Sequence, residues 1–593
     1  MAPFSKILVA NRGEIAVRVF RTLRELDIAR VAVYSEADRN ALHVDLADEA
    51  YFIGPGPASE SYLRADAIVE TALRANAQAV HPGYGFLAEN ASFARQVIEA
   101  GLVWIGPPPE AIEAMGSKLA ARERMREAGV PIIPGATAAA ESLDDVRATA
   151  EEIGYPVAIK ASAGGGGKGL KIVRSPDDVE RGFESARREG EAYFADATVY
   201  VERYLDDPRH VEVQVLADDH GTVIHLGERD CTIQRRHQKL VEETPSPAVD
   251  DELRERIGAI AVEAARAVDY RSAGTIEGLL AQDGAYYFLE MNTRIQVEHT
   301  VTEAVTGLDL VREQVLVAAG KPLSVGQEDV RLSGHSIECR INAEDGARGF
   351  IPTPGRITAY REPSGPGVRV DSGVRAGDAV SDLYDPLIAK LVVHDVDREA
   401  ARRRMLRALE EYVVAGPTTL IPFHRALLES PCFGAGETCS AVVESNELAD
   451  RVQELTDQLA HMATLTSPSD GASLLEASRD RVVSVEIDGR RHEVRIHTPE
   501  PPWASVARKH RERSKGLAGV TSGAVVSPMQ GVVLSVAVEE GDRVQAGDLI
   551  CVVEAMKMEN EITAHGSGVV SGVAVEPGKQ VVLGQVICVL GES

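Results

Sequence analysis

The amino-acid sequence predicts a multidomain α/β protein that ends in a small all-β domain. Its 593 residues are enough for several domains of ordinary size. The first third alternates short apolar strands with helical segments, a rhythm typical of a parallel sheet. The C-terminal segment instead repeats one short β-rich unit twice.

The N-terminal third contains the alternating elements. Lys6–Ala10 is a short apolar run and predicts the first strand, and Glu14–Leu26 has the spacing of an amphipathic helix. Arg30–Tyr34 predicts the second strand, and Ala79–Val80 and Val103–Ile105 predict others. This β-α-β order predicts a parallel sheet.

The middle of the chain mixes longer strands and helices. Arg209–Leu216 and Tyr286–Glu298 alternate as strands do, and Glu444–Ala463 has helical spacing. Further on, Arg481–Ile487 and Arg490–Ile496 flank an Asp-Gly pair. Because Asp-Gly suits a tight turn, these two segments predict a hairpin.

The C-terminal repeat predicts a flattened β-sandwich. Gly531–Glu554 and Gly568–Gly591 are identical at 13 of 24 positions, at an offset of 37 residues. One copy cannot bury its apolar face alone, whereas two copies can cover each other around an approximate twofold axis. Lys557 lies between the copies and between Met556 and Met558. We therefore expect Lys557 in a connecting turn, as an attachment point in a soft apolar surround.

Composition excludes several classes of protein. The net charge of −28 disfavours general binding to nucleic acid, which requires a basic surface. No run of 18 apolar residues occurs, so no transmembrane helix and no membrane association are expected. The six cysteines show no CxxC spacing, so neither a disulfide framework nor a structural zinc site is expected. We expect a cytoplasmic protein.

The segment Glu290–His299 carries the strongest chemical signal. In an extended strand its even-numbered side chains share one face; they are Glu290, Asn292, Arg294, Gln296 and Glu298. Glu290 and Asn292, with Glu277 from a neighbouring strand, offer the oxygen ligands that Mg²⁺ prefers. Arg294 suits a small planar anion, and Glu298 is placed to act as a base. The alternative is an exposed polar sheet face.

Two further segments indicate phosphate binding. Lys160–Gly169 is a glycine-rich loop after a predicted strand, so its backbone can approach phosphate oxygens closely. It lacks the GxxxxGK[ST] spacing of a Walker A loop, and a flexible linker is the alternative. Gln234–Lys239 is a basic run that faces phosphates or a carboxylate, or forms a solvated loop.

Two other motifs leave the interpretation open. Arg340 lies on the polar side of a strand whose other side carries Ile337, Cys339 and Ile341. It is either a salt-bridged structural residue or an anion stabiliser. Gly83–Ala88 fits the GxGxx[GA] dinucleotide pattern, but the bulky Tyr84 and Phe86 and the absence of a clear strand-ending acid argue against NAD.

These motifs together resemble a known family. Glu554–Asn560, with Pro528-Met529 before it, resembles the biotinylated E-A-M-K-M motif of biotin carboxyl carrier domains. Glu290–His299, the glycine loop, His81–Asn90 and Gln234–Lys239 resemble biotin carboxylase, an ATP-grasp enzyme. A chain with both parts resembles the alpha subunit of a biotin-dependent acyl-CoA carboxylase. Pyruvate carboxylase is disfavoured, because it would need a large carboxyltransferase domain between the two parts.

The resemblance implies five segments. They are a Rossmann-like biotin carboxylase N-terminal domain (1–115), an ATP-grasp domain with a glycine-rich lid (116–330), an α+β biotin carboxylase C-terminal domain (331–450), a small β docking region with a linker (451–522) and an all-β biotinyl domain (523–593). The alternative for 451–522 is a plain spacer.

The resemblance also implies residue roles. Lys557 would carry biotin. ATP contacts are implied for Lys118, Lys160, Gly165, Gly166, Glu202, Leu205, His210, Gln234, His237 and Glu277. Ligands of Mg²⁺ or Mn²⁺ are implied for Glu277, Glu290 and Asn292, and the bicarbonate site for Lys239, Arg294, Gln296 and Val297. Glu298 would be the base and Arg340 would steady the biotin enolate. Departures from the family pattern are Lys168, Arg203, Gly278 and Thr300.

The implied reaction has two stages and several partners. Bicarbonate attacks ATP to give carboxyphosphate, which releases the CO₂ that biotin captures; a separate carboxyltransferase beta subunit then carboxylates acetyl-CoA or propionyl-CoA. A biotin protein ligase and a homo-oligomer of alpha chains are also implied. Two rivals are a carrier with an inactive ATP-grasp scaffold and an ATP-grasp amino-acid or purine ligase, which leaves Lys557 unexplained.

Overall fold

The computed structural model describes most of the chain in two compact units, Met1–Val452 and Gln453–Ser593. Among its described residues, no helix is both long and apolar enough to cross a bilayer. The described residues are 3–136, 138–140, 142–161, 170–194, 196–236, 238–466, 478–487, 490–499, 523–555, 558–582 and 584–591.

The first unit begins with the predicted parallel sheet. All neighbouring strands of this sheet run parallel, and their spatial order is Glu49–Gly54, Ala29–Ser35, Lys6–Val9, Ala79–His81 and Val103–Trp104. The sequence prediction missed the edge strand Glu49–Gly54, whose first four residues are half-buried or exposed. Central strands are apolar on both sides because helices cover both faces. These helices are Gly13–Glu25, Leu42–Leu46, Ala65–Arg74, Ala91–Glu99 and Pro109–Gly116.

Alternation within the first strand shows how both faces are buried. Ile7 and Val9 pack in one apolar cluster with the Gly13–Glu25 helix. Leu8, between them, packs in a second cluster with residues of the Ala65–Arg74 and Ala91–Glu99 helices. Strand order and helices on both faces confirm the Rossmann-like prediction.

The largest sheet of the first unit has eight antiparallel strands and extends across two of the predicted domains. Its strand order is Tyr286–Asn292, Ser272–Leu280, Arg209–Ala217, Val223–Arg235, Gln238–Thr244, His335–Asn342, Leu387–Asp395 and Val368–Ser372. Because the sheet is continuous, Arg340 on the sixth strand lies in the same layer as the carboxylates of the first strands.

A separate sheet of three strands lies in the same unit. Its order is Leu170–Val173, Val157–Ala161 and Val199–Arg203, and the helices Leu143–Ile153 and Val179–Phe194 pack on it. Ser142 caps the first of these helices and accepts a hydrogen bond from the Asp145 backbone N–H. The glycine loop 162–169, which joins two of the strands, lies outside the described residues.

The remaining helices complete the first unit. They are Lys118–Glu127, Asp251–Arg266, His299–Thr306, Leu310–Ala318, Arg398–Glu411, Ile421–Glu429, Pro431–Ala435, Ser440–Val443 and Asn446–Thr466, which continues into the second unit. The last matches the predicted helix Glu444–Ala463 with shifted ends. Cys432 and Cys439 form a disulfide, so the expectation from cysteine spacing fails at this one pair. The other four cysteines are free and buried.

The remaining short strands lie mostly in the third predicted domain. Their pairs are Glu344–Asp345 with Ile351–Pro352, Gly355–Arg356 with Ala379–Val380, and Ala359–Arg361 with Val413–Ala415.

The second unit contains the predicted hairpin and the predicted sandwich. Ser478–Ile487 pairs antiparallel with Arg490–Pro499, which confirms the hairpin; its Asp488-Gly489 turn lies outside the described residues. The sandwich has two four-stranded sheets, and each takes two strands from residues 524–555 and two from residues 558–591, as twofold symmetry requires. One sheet is Ala524–Val526, Val586–Gly591, Gly568–Ser571 and Arg543–Val544; the other is Met558–Thr563, Leu549–Ala555, Gly531–Val536 and Gln580–Val581.

Candidate functional site

One cavity of about 750 Å³ in the first unit collects the predicted site residues. Strands of the large sheet and all three strands of the small sheet contribute residues to its walls. The predicted residues among its walls are Lys118, Lys160, Glu202, Leu205, His210, Gln234, Lys239, Glu277, Glu290, Asn292, Arg294, Gln296, Val297, Glu298 and Arg340. The predicted residues Gly165, Gly166, His237 and Lys557 lie outside the described residues.

Lys239 is the centre of the charge network. Its Nζ donates to Oε2 of Glu212 at 2.5 Å, to Oε1 of Glu277 at 2.9 Å and to Oε1 of Glu298 at 2.6 Å. Burial alone would lower the pKa of Lys239, but the three carboxylates outweigh it and raise that pKa well above its usual value. Lys239 is therefore a fixed positive charge in the cavity.

Glu298 is held between two cations. Beside its contact with Lys239, its Oε2 accepts a hydrogen bond from Arg340 Nη2 at 2.9 Å, and Arg340 Nε donates to Glu242 at 2.7 Å. Burial alone would raise the pKa of Glu298, but Lys239, Arg340 and the buried Arg229 outweigh it and lower that pKa. The carboxyl group is ionised at neutral pH and able to accept a proton.

The strand prediction for Tyr286–Glu298 is wrong beyond Asn292, where the observed strand ends. The backbone N–H of Thr293 donates to Glu89 at 3.1 Å instead of to a neighbouring strand. Glu298 occupies the N-cap position of the His299–Thr306 helix. Arg294, Gln296 and Glu298 thus reach the cavity from a loop, not through strand alternation.

Glu277 and Glu290 form a pair of neighbouring carboxylates. They are register partners on adjacent strands. Glu277 accepts hydrogen bonds from Asn292 Nδ2 at 2.7 Å and Gln296 Nε2 at 2.5 Å, and contacts His210 Nε2 at 2.6 Å. Burial, and then the charge of Glu277, raise the pKa of Glu290. Two like charges and an amide oxygen in one pocket fit a hard divalent cation such as Mg²⁺.

Arg294 lies beside this pair. Its Nε donates to Glu89 at 2.9 Å and its Nη2 donates to the side-chain oxygen of Asn292 at 2.8 Å. Glu89 belongs to the N-terminal domain. The sequence analysis named the segment His81–Asn90 but not Glu89 itself. A positioned guanidinium next to Lys239 suits a small anion.

Two further lysines, Lys118 and Lys160, line the same cavity. Lys160 pairs with Glu202, which also accepts a hydrogen bond from Arg122 at 2.8 Å. Burial lowers the pKa of Lys118, although the charge of Glu290 opposes the shift. Lysines and paired carboxylates in one cavity suit a polyphosphate with its metal ion.

Gly278 has a clear structural reason. A β-carbon at this position would collide with the ring of Tyr286, a buried residue of the adjacent strand. Tyr286 donates its hydroxyl to the carbonyl of Val211 at 3.2 Å. The Tyr286 ring therefore fills the space beside the carboxylate pair, and the packing there is intact.

Sequence reasoning missed Arg229 and Glu212. The fully buried Arg229 donates to Glu212 at 2.6 Å and to the side-chain oxygen of Gln296 at 2.9 Å. The signal was available: Glu212 and Gln214 alternate with valines in their strand, and Arg229 stands in a charged Glu-Arg-Asp run inside an apolar strand. Such charges in buried strands are retained when they are paired.

The fold and the cavity define an ATP-dependent ligase of the ATP-grasp class. Family models match the chain as "Biotin carboxylase, N-terminal domain" over residues 3–112, "Carbamoyl-phosphate synthase L chain, ATP binding domain" over 117–325, "Biotin carboxylase C-terminal domain" over 338–445 and "Biotin-requiring enzyme" over 523–590. The chain belongs to the biotin carboxylase family, and it carries a biotin-carrying domain in the same polypeptide.

Relatives of known function support this placement over most of the chain. The biotin-dependent acyl-coenzyme A carboxylase alpha3 subunit of Mycobacterium leprae is 45% identical over 572 residues, which cover 95% of this chain and 94% of that protein. One subunit of the pyruvate carboxylase of Methanothermobacter thermautotrophicus is 50% identical over 481 residues, 80% of this chain and 98% of that protein. The biotin carboxylase structure from Campylobacter jejuni is 45% identical, with a TM-score of 0.72, and the match covers 74% of this chain and 98% of that one.

Proposed function

We propose that this chain is the alpha subunit of an acyl-CoA carboxylase. It carboxylates biotin attached to Lys557 with ATP and bicarbonate, and a separate carboxyltransferase beta subunit then carboxylates acetyl-CoA or propionyl-CoA. The observation that carries the proposal is Glu298, which lies between Lys239 and Arg340 in the cavity that also holds the paired carboxylates. One site thus contains a base, Glu298, a lysine that can bind an anion, Lys239, and the guanidinium of Arg340.

The first stage uses the bicarbonate end of the cavity. Lys239 and Arg294, with Gln296 and the Val297 backbone, bind bicarbonate. Glu298 takes its proton, which makes the oxygen a better nucleophile toward the γ-phosphate of ATP. Lys239, Arg340 and Arg229 lower the pKa of Glu298, so the group is ionised before substrate arrives.

The nucleotide lies at the lysine end. Lys118 and Lys160 face its phosphates, and Glu202, Leu205, His210 and Gln234 complete the pocket; Gly165, Gly166 and His237 are proposed contacts on sequence resemblance alone. Glu277, Glu290 and Asn292 would hold Mg²⁺ or Mn²⁺, which neutralises charge on the transferring phosphoryl group when bound.

The second stage takes place beside Arg340. The attack on ATP releases ADP and gives carboxyphosphate, which breaks down to CO₂ and phosphate. Bound biotin would supply the ureido nitrogen that receives the carboxyl group, and the phosphate would take the proton of that nitrogen. Arg340 donates to Glu298 and Glu242, so its guanidinium is fixed next to the site where CO₂ is released. Because Glu298 and Arg340 are in direct contact, CO₂ can be captured inside the cavity, away from water.

The acceptor of the carboxyl group has two candidates. An acyl-CoA is favoured because the match to an acyl-CoA carboxylase alpha subunit spans 95% of the chain. A 2-oxo acid is the second candidate, because the chain is 50% identical to one subunit of a pyruvate carboxylase and 49% identical to the biotin carboxylase domain of a 2-oxoglutarate carboxylase. Only a single-chain pyruvate carboxylase would need a large carboxyltransferase domain between the two parts.

The decisive assay uses the full chain with its carboxyltransferase partner. Acetyl-CoA, propionyl-CoA, pyruvate and 2-oxoglutarate are each supplied with ATP and ¹⁴C-bicarbonate. Fixation of label into an acyl-CoA supports the proposal, and fixation into an oxo acid alone replaces it with the second candidate. The chain without its partner should carboxylate free biotin but none of the four acceptors.

Attachment of biotin is tested by intact mass. Chain produced with active biotin protein ligase should exceed the sequence mass by one biotinyl group, and Lys557→Arg should abolish the shift. Lys579→Arg is the matched control, since Lys579 lies in the second half of the repeat, and it should keep the full shift. An unshifted wild-type mass would contradict the functional assignment.

The docking region can be tested with a clean deletion. We propose that the hairpin Ser478–Pro499 docks the carboxyltransferase chain, since a two-stranded hairpin is marginal unless it packs against something. Residues 478–499 can be removed while the Asn446–Thr466 helix stays, because Leu448 and Val452 of that helix are buried. The deletion should spare carboxylation of free biotin and abolish co-purification with the partner. Stoichiometric co-purification of the deleted chain would show that docking lies elsewhere.

A further inference from the structure

The disulfide between Cys432 and Cys439 lies next to the rim of the cavity. The two Cα atoms are 5.8 Å apart, within the range that a disulfide spans. Cys439 is buried and Cys432 is half-buried, whereas all other cysteines are buried and free. Cys432 is therefore the most exposed of the six cysteines.

Residues beside Cys439 hold Asp207, at the rim of the cavity, by hydrogen bonds. Thr438 Oγ1 donates to Asp207 Oδ2 at 2.7 Å, and Ser440 Oγ donates to Asp207 Oδ1 at 2.6 Å. Asp207, the following Pro208 and Ser440 all line the cavity, in the same stretch as the proposed nucleotide contact Leu205. Arg209 donates to the carbonyl of Gly436 and fastens the segment a second time.

The backbone at Cys439 explains why the cross-link matters. Cys439 has φ +55°, in the left-handed region, which costs a residue other than glycine about 1–2 kcal/mol. Its two neighbours are Thr438 and Ser440, the residues that hold Asp207. The disulfide fixes the side chain of Cys439, so its loss frees the backbone to leave this conformation and to withdraw both hydroxyl groups from Asp207.

We propose that Cys432 and Cys439 form a reversible oxidation site that sets the affinity of the cavity for nucleotide. The oxidant is of the hydroperoxide class, ROOH. It oxidises one thiol to a sulfenic acid and leaves as ROH; the second thiol then attacks that sulfur, the S–S bond forms and water leaves. Two thiols thus lose two protons and two electrons, and a dithiol reductant reverses the change. Paired cysteines in reducing compartments are commonly redox sensors.

This inference rests on the proposed function in one respect, namely that the cavity holds a nucleotide. The disulfide state has the segment fastened to Asp207, so oxidation should tighten nucleotide binding. Loss of the two hydrogen bonds to Asp207 on reduction should weaken binding by about three- to tenfold. Cys231 is fully buried within the first unit and should not react.

The test measures dissociation of MgADP from the full chain by titration calorimetry. One sample is treated with hydrogen peroxide and the other with a dithiol, and each reagent is removed first. Peptide mass mapping after alkylation reports which cysteines are paired. We expect a Cys432–Cys439 cross-link only in the oxidised sample, free Cys231 in both, and a dissociation constant about three- to tenfold lower in the oxidised one.

Three variants separate the cause from general damage. Cys432→Ser should bind MgADP like the reduced wild type under both treatments. Thr438→Val keeps the disulfide but loses one hydrogen bond to Asp207, so it should weaken binding in the oxidised sample. Cys588→Ser, in the second unit, should retain the full redox response.

The outcomes are distinguishable. Absence of the cross-link after peroxide treatment, or equal dissociation constants for the two forms of the wild type, overturns this inference and leaves the proposed function standing. Failure of MgADP to bind in either form overturns the proposed function and this inference together.

Discussion

Replacing Glu298 with Gln removes the proposed base while keeping the shape of the side chain. The two cations that Glu298 contacts retain other carboxylates: Lys239 keeps Glu212 and Glu277, and Arg340 keeps Glu242. Neither cation is left alone in the cavity wall, so we expect the free energy of unfolding to fall by only about 1–3 kcal/mol. The variant should fold, and its defect should lie in the reaction.

The expected defect is large and specific. Loss of a general base lowers turnover by about 10²–10⁴-fold, equivalent to about 3–5 kcal/mol of activation free energy. Glu298 contacts neither Lys118 nor Lys160 at the nucleotide end, so the dissociation constant for MgADP should stay within about threefold, a change below about 1 kcal/mol.

The assay is bicarbonate-dependent hydrolysis of ATP, followed by phosphate release at saturating bicarbonate. Glu252→Gln, at an exposed glutamate of the same unit, is the matched control and should keep wild-type turnover. Wild-type turnover in Glu298→Gln at saturating bicarbonate would show that Glu298 is not the base. A loss of MgADP affinity that equals the loss of turnover would show that the variant damages the cavity and not the chemistry.

Three further variants probe other parts of the site and the fold. Arg340→Ala should keep MgADP affinity and slow carboxylation of free biotin about 10²–10³-fold, measured as ¹⁴C fixation. Lys390 is fully buried and donates to the carbonyl of Val297 at 2.9 Å. Lys390→Met is combined with Glu14→Gln, so that the buried carboxylate of Glu14 is not left unpaired. This double variant should raise KM for bicarbonate about tenfold or more, with little change in KM for ATP. Equal changes in both KM values would argue for general unfolding. Burial raises the pKa of Glu344 to about 7, so the folded state binds a proton there between pH 4.5 and 7 that the unfolded state lacks. The stability of the wild type relative to Glu344→Gln should therefore fall by up to about 3 kcal/mol as pH rises from about 4.5 to about 8; parallel urea midpoints across that range would contradict the shift.

Local sequence patterns were sufficient to predict the parallel sheet, the sandwich built from the repeat and the chemical character of the site residues. Two central strands, Lys6–Val9 and Ala29–Ser35, have apolar residues on both faces. This pattern is typical of a sheet that is covered on both sides. The repeat around Lys557 required two halves that cover each other, and the sandwich has that arrangement. Local periodicity was sufficient in both places because neighbouring residues carry the pattern.

Only the tertiary structure decided how the site is assembled. Alternation predicted one polar strand face through Glu298, but the strand ends at Asn292 because Glu89, from the N-terminal domain, takes the next backbone N–H. Lys239 and Arg340 share Glu298, a helix N-cap residue, and their other partners lie on strands of the large sheet.

The same is true of the Cys432–Cys439 pair. Cysteine spacing gave no reason to expect it, since the short helix Pro431–Ala435 and the turn after it bring the two Cα atoms to 5.8 Å. Which charges and thiols the protein has can be read directly from its residues. Their distances depend on long-range packing, and those distances set the pKa of Glu298 and the pairing of the cysteines.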